Sequence, residues 1–189
     1  SKDALIEAVL ARQLDPLNDA RNALLSTFEG QLGDRMTCEH VLIAMFLPAV
    51  RASRSGAPGA ERFLHFLGRA YTDPSTVVRT FIDTHYLETL ARFFFAFQKT
   101  LPELDRQDLG FRLNFAMGAL AGILAGGNTQ RLMREFTQGQ GDSEALLLSR
   151  LIALMVAALK APLPGPQDTS HFDAIVNLPR VADAATPRR

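Results

Sequence analysis

The sequence predicts an all-α fold, a bundle of about six to seven helices, on three observations. Apolar residues recur at helical spacing along most of the chain. No run alternates in the manner of a strand. Capping residues and Asp-Pro pairs divide the periodic stretches from one another. The 189 residues, 47% hydrophobic and 21% charged, suit one globular domain with a tail. A chain of this size buries roughly 70% of the surface it exposes when unfolded, enough for an ordinary core.

Taken in order, Ser1 caps a first helix with Leu5, Ile6, Val9, Leu10 and Leu14 on one face. Asp15-Pro16 predicts a kink or a restart, because proline removes a bond from a helix interior. The pattern resumes through Leu17, Ala20, Leu24, Leu25 and Phe28, and Gly30 and Gly33 close it. Thr37 is the cap expected for a second helix carrying Val41, Leu42, Met45, Phe46 and Val50, with Glu39 at its positive end and Pro48 bending it. Residues Ser53 to Gly59 form a loop by composition. A short helix from about Ala60 to Tyr71 turns Phe63, Leu64, Phe66 and Leu67 inward.

Asp73-Pro74 predicts the start of the longest helix, with aspartate as cap and proline at the first position. It extends to Thr100, about 40 Å at 1.5 Å per residue. Asp105 caps a further helix ending near Gly126 and Gly127. Asp142, Ser143 and Glu144 begin the last one, which Pro162 stops. The division is therefore a domain over 1–161 and a proline-rich tail over 162–189. Phe172, Ile175, Val176 and Leu178 form a small apolar cluster in that tail, expected to dock on the core or on a partner subunit.

The last two helices of the domain are apolar all round: no polar side chain falls between Phe115 and Gly127, nor between Leu151 and Leu159. A monomer's surface helix has a polar back. One small domain cannot cover both helices on every side, so the excess face requires a second copy. Gly118, Gly122 and Gly126 recur every four residues, as do Ala153, Ala157 and Ala161, with Leu154 beside them. Small ridges of this kind let helix axes approach closely. Three glycines in a helix cost roughly 3 kcal/mol against alanine, which close packing offsets. The expected assembly is a homodimer joined by an intersubunit four-helix bundle about a twofold axis.

Thirteen phenylalanines and five methionines with no tryptophan suggest an adaptable apolar interior. The residues expected to line a small-molecule site are Met45, Phe46, Phe81, His85, Tyr86, Thr89, Phe93, Asn114, Phe115 and Met117. Among them His85, Tyr86, Thr89 and Asn114 are the polar handles that such a site needs. For any one of them the plainer role, a core polar residue satisfied by a neighbouring backbone group, is the more common one.

Catalytic constellations are weak. His40, His65, His85 and His171 form no metal-binding pair, and His85 with Glu88 supplies two ligands, too few to specify a site. No G-x-S-x-G turn occurs, and Cys38 has Glu39 beside it, which disfavours a thiolate. No enzyme activity, metal or cofactor is expected. Twenty basic residues balance twenty acidic ones, which argues against direct binding of nucleic acid by this segment. The lone Cys38 fits a reducing cytoplasm. No signal peptide is visible, and the stretch Phe115 to Gly127 is too short to span a bilayer.

The opening SKDALIEAVLARQLDPLN resembles the segment that follows the DNA-reading helix-turn-helix of TetR-family regulators. FRLNFAMGALAGILAG and LIALMVAALKAP resemble the two dimerisation helices of its PsrA-like, fatty-acyl-sensing branch, and ERFLHFLGRAY before an Asp-Pro start fits the same branch. The resemblance covers most of Ser1 to Pro162 and implies a TetR C-terminal-domain-like fold: an effector-sensing, homodimeric half of a regulator with a ligand pocket among the earlier helices. Ser1 is not a methionine, and operator DNA would be reached only through a helix-turn-helix domain upstream of it. A small hydrophobic effector would then shift the spacing of two DNA-reading heads. Two alternatives stand beside this: a stand-alone helical small-molecule-binding protein, and a metal-dependent helical enzyme using His85 and Glu88.

Overall fold

A computed structural model describes residues 1–53, 55–125, 144–163 and 165–177. Among the described residues there are eight α-helices and no strands. They are α1 (Lys2–Leu32), α2 (Cys38–Ser53), α3 (Phe63–Thr72), α4 (Thr76–His85), α5 (Leu87–Thr100), α6 (Arg106–Ala125), α7 (Glu144–Lys160) and α8 (Pro166–Val176). The expected signals at Gly126, Gly127, Asp142, Ser143 and Leu178 lie outside the described residues.

Local chemistry explains most of the boundaries. Ser1 Oγ accepts from the Ala4 N–H at 3.2 Å, capping α1. Gly33 ends it at φ 53°, a left-handed conformation that suits glycine. Thr37 stands before α2, but it is His40 that reaches back, its Nδ1 accepting from the Thr37 N–H at 3.1 Å. Asp105 Oδ1 accepts from the N–H groups of Gln107 and Asp108, both at 2.8 Å, opening α6.

Three elements differ from expectation. α1 is one 31-residue helix with Pro16 inside it, where a kink or restart was expected. Proline removes a single intrahelical bond, and Leu14 and Leu17 on either side are buried in the core, which holds the helix together. The helix after Asp73-Pro74 starts later than the cap signal implied. Asp73 Oδ1 accepts from the Ser75 N–H at 2.8 Å, so the pair builds a turn, and Ser75 occupies the cap position. Third, the single long helix is two. Tyr86 (φ −109°, ψ 18°) separates α4 from α5, although neither proline nor glycine lies between Ser75 and Thr100.

The core has two parts. The first gathers Leu25, Cys38, Val41, Leu42, Phe46, Phe93, Phe97, Leu101, Leu109, Leu120 and Leu159 from α1, α2, α5, α6, α7 and the segment between α5 and α6. The second gathers Leu10, Leu14, Leu17, Phe63, Leu67, Val78, Ile82 and Tyr86 from the first half of α1 with α3 and α4. α1 therefore runs along both.

α3 packs closely on α6. Gly68 makes it possible: a Cβ there would collide with the Ala125 backbone N and stand 2.6 Å from the Leu124 carbonyl carbon and 2.8 Å from the Ala121 oxygen. Among the described residues, no helix is long and apolar enough to cross a membrane.

Candidate functional site

α1 and α5 run side by side in the same direction, joined by polar side chains. Tyr86, at the head of α5, donates from its hydroxyl to Asp15 Oδ1 at 2.8 Å. Asn22 Nδ2 donates to Thr89 Oγ1 at 2.9 Å. Arg92 donates to the Asn22 carbonyl at 3.2 Å, to Ser26 Oγ at 2.7 Å and to Glu29 Oε2 at 2.7 Å. Lys99 and Asp34 make the last rung at 3.3 Å. Beside the lower rungs lies a groove of about 670 Å³, lined by Glu29, Gly33 and Met36 on one side and by Glu88, Ala91, Arg92, Phe95, Ala96 and Lys99 on the other.

At the upper end, Phe81 and His85 stack at 4.7 Å between ring centroids, and Tyr86 meets His85 edge-on at 4.8 Å. His85 Nε2 lies 3.3 Å from Asp15 Oδ1, the same oxygen that Tyr86 holds. Burial, reinforced by the hydrogen bond to this carboxylate, pushes the Tyr86 phenol well above its ordinary range.

Arg21 sits where the two parts of the core meet. It is 5% exposed, yet its guanidinium faces neutral partners: the Met45 carbonyl at 2.8 Å, Asn18 Oδ1 at 3.0 Å and Tyr71 Oη at 3.1 Å. A buried cation is usually matched by a carboxylate. The sequence reading missed it, because Asn18 and Arg21 sit one turn apart like any solvated helical pair; only Leu17 and Leu25 flanking them hint at burial.

The ten residues expected around a ligand divide into three groups. Phe81, His85, Tyr86 and Thr89 lie along α4 and the start of α5 facing α1. Met45, Phe46, Phe93 and Met117 belong to the first part of the core. Asn114 and Phe115 are on the outer face of α6, where Phe115 is 69% exposed. None of the ten lines the groove.

Apart from Asn114, that outer face is apolar. On α6 it comprises Phe111, Phe115, Gly118 and Gly122, and on α7 Ala153, Leu154 and Ala157, with Ala161 following; all are exposed, whereas Leu109, Ala116, Leu120, Ile152, Met155 and Leu159 point inward. Among the described residues nothing lies within 4 Å of a Cβ built on Gly118 or Gly122, so no described helix packs on that glycine ridge. Gly126 lies outside the described residues.

Of the pair considered for metal chemistry, His85 is turned to Asp15 and Glu88 lines the groove. No group of three or more metal-ligating side chains occurs among the described residues. Cys38 is 1% exposed, and burial raises its thiol above the usual range, with the Lys160 charge opposing.

No curated protein gives a significant match to the chain. A family model of the tetracyclin repressor-like C-terminal domain matches residues 43–158, more than half of the 189. Such domains are non-enzymatic and generally form the ligand-binding and dimerisation part of TetR regulators. The matched span runs from within α2 to near the end of α7 and holds the outer α6–α7 face with much of both cores outside α1, and the chain belongs to the tetracyclin repressor-like C-terminal domain family.

Proposed function

We propose that residues 1–161 are the effector-sensing and dimerisation domain of a TetR-type transcriptional regulator of the PsrA-like branch. The observation that carries the reading is the unpartnered face of α6 and α7. Phe111, Phe115 and Leu154 are 73, 69 and 66% exposed, alongside Gly118 and Gly122, where an added Cβ would meet none of the described residues. Burying large apolar side chains is worth about 1.5 to 3 kcal/mol each, so a second copy seated on this face gains substantially. Gly118, Gly122, Gly126, Ala153, Leu154, Ala157 and Ala161 form the seam of a four-helix bundle.

The effector is a small hydrophobic molecule, with a fatty-acyl compound the first candidate. It lodges beside α1 among Met45, Phe46, Phe81, His85, Tyr86, Thr89, Phe93 and Met117, and its polar end is drawn to Arg21. Asn114 and Phe115 belong with the seam in this arrangement. Binding shifts α1, which continues toward a DNA-reading domain, so that the two heads match half-sites about 34 Å apart in one state only. The effector acts by unequal affinity for the two states.

Sedimentation equilibrium of the chain tests the pairing. A dimer at micromolar concentration that Leu154→Glu converts to a folded monomer is the expected result; a wild-type monomer overturns the reading. Native mass spectrometry of the dimer then identifies a co-purified effector by mass.

A further inference from the structure

Arg21 is held from three helices by acceptors that carry no charge. Its Nε donates to the Met45 carbonyl of α2, and its Nη1 donates to Asn18 Oδ1 of α1 and to Tyr71 Oη of α3. The other terminal nitrogen, Nη2, has no partner among the described residues. Two neighbouring donors share that condition. A guanidinium only donates, so Asn18 turns its oxygen to Arg21, and its Nδ2 finds no acceptor among the described residues. Tyr71 accepts through its oxygen, which leaves the hydroxyl hydrogen to be donated, again with no described acceptor. No buried side-chain nitrogen or oxygen among the described residues lacks a partner, so Nη2 of Arg21 and Nδ2 of Asn18 are both reached by solvent.

Charge points the same way. No described carboxylate pairs with Arg21. The two nearest in sequence are placed elsewhere: Asp15 is taken by Tyr86 and His85, and Asp19 is exposed. Leu17 and Leu25, one turn to either side of Arg21, are 3 and 0% exposed, so little water screens the cation. An opposite charge brought there interacts more strongly than it would on the surface. What the cluster lacks is an anionic acceptor.

We infer that Arg21, Asn18 and Tyr71 form an anion-binding site whose ligand is a compact oxyanion, with the carboxylate of a small organic acid as the group that suits it. One carboxylate oxygen accepts from Nη2, and the planar guanidinium matches the planar acid group. The second oxygen is left for Asn18 Nδ2 or the Tyr71 hydroxyl. An amide, ester or alcohol of the same shape brings no charge and leaves the cation unmatched. The inference deepens the effector reading above and rests on it for the presence of a small-molecule ligand.

Thermal denaturation of the full chain at constant ionic strength tests this, with benzoate, its neutral isostere benzamide and inorganic phosphate as probes. Asn18→Asp is the companion variant: it sets a carboxylate against Nη1 at unchanged size and so fills the site from within. Benzoate at about 20 mM should raise the wild-type melting temperature by at least about 2 °C, and benzamide should not. Asn18→Asp without ligand should melt above the wild type and no longer respond to benzoate. A phosphate response as large as that to benzoate supports a site for free oxyanions, and a benzoate response alone supports one for organic acids. No response to either anion, an equal response to benzamide, or a benzoate response undiminished in Asn18→Asp each overturns the anion site and leaves the effector reading standing. So does Asn18→Asp melting no higher than the wild type. A domain that neither responds to any probe nor carries a small molecule in native mass spectrometry overturns both.

Discussion

Tyr86 donates its hydroxyl to Asp15 across 71 positions of sequence, at 2.8 Å, and so pins the break between α4 and α5 to the residue before Pro16 of α1. The contact joins the one non-helical residue between two helices to the point where α1 lacks an internal bond.

Tyr86→Phe removes a hydrogen bond to a charged acceptor and should lower stability by about 1.5 kcal/mol in chemical denaturation. The same contact has a pH signature. The folded state holds the phenol proton above its ordinary pKa of about 10, so this contribution is complete below pH 10. It is lost as the pH rises beyond that value, since the unfolded chain releases the proton first. Wild type should therefore lose stability faster than Tyr86→Phe between about pH 9.5 and 11; parallel curves would remove the assignment.

Gly68→Ala sets a methyl group against the α6 backbone, with the Leu124 carbonyl carbon at 2.6 Å. Overpacking of this kind costs about 1–3 kcal/mol, more than the roughly 1 kcal/mol gained in helix propensity. Thermal denaturation should show a net loss.

Gly118→Ala and Gly122→Ala should behave in the opposite way within a subunit. Among the described residues nothing lies within 4 Å of either added Cβ, so each gains about 1 kcal/mol of helix propensity. The dimer dissociation constant should nevertheless rise, because the small ridge is where the proposed seam closes. Dilution series by sedimentation separate the two effects.

Arg21→Ala removes a 5% exposed side chain with its three hydrogen bonds and should cost about 2–3 kcal/mol. Arg21→Lys keeps the charge but loses the planar fork, and should recover part of the loss. Equal melting temperatures for wild type and both variants would show that the guanidinium holds nothing together.

Cys38 is 1% exposed with a raised thiol pKa, so a disulfide reagent at pH 8 should label the folded chain at least about 100-fold more slowly than the denatured chain. Labelling then reports opening of the first part of the core.

The all-α class, the caps at Ser1 and Asp105, and the apolar excess of α6 and α7 were legible in the sequence, because they depend on residues within a turn or two of each other. α8 was not among the expected helices: Gly165, Pro166 and Asp168 form its start, but the proline-rich character of the tail obscured it. Tertiary structure alone decided that α1 continues through Pro16, that Tyr86 interrupts the helix after Ser75, and that Gly68 rather than Gly118 or Gly122 admits a neighbouring helix within the subunit. It also distributed the expected ligand residues over two core regions and an outer face, and set a groove between α1 and α5 lined by none of them. The reason is one of range. A cap or an apolar stripe is set by the chain's own few-residue periodicity, whereas which stripe meets which, and which polar group is buried between them, depends on contacts such as Asn22 with Thr89 or Arg21 with Tyr71, 67 and 50 positions apart.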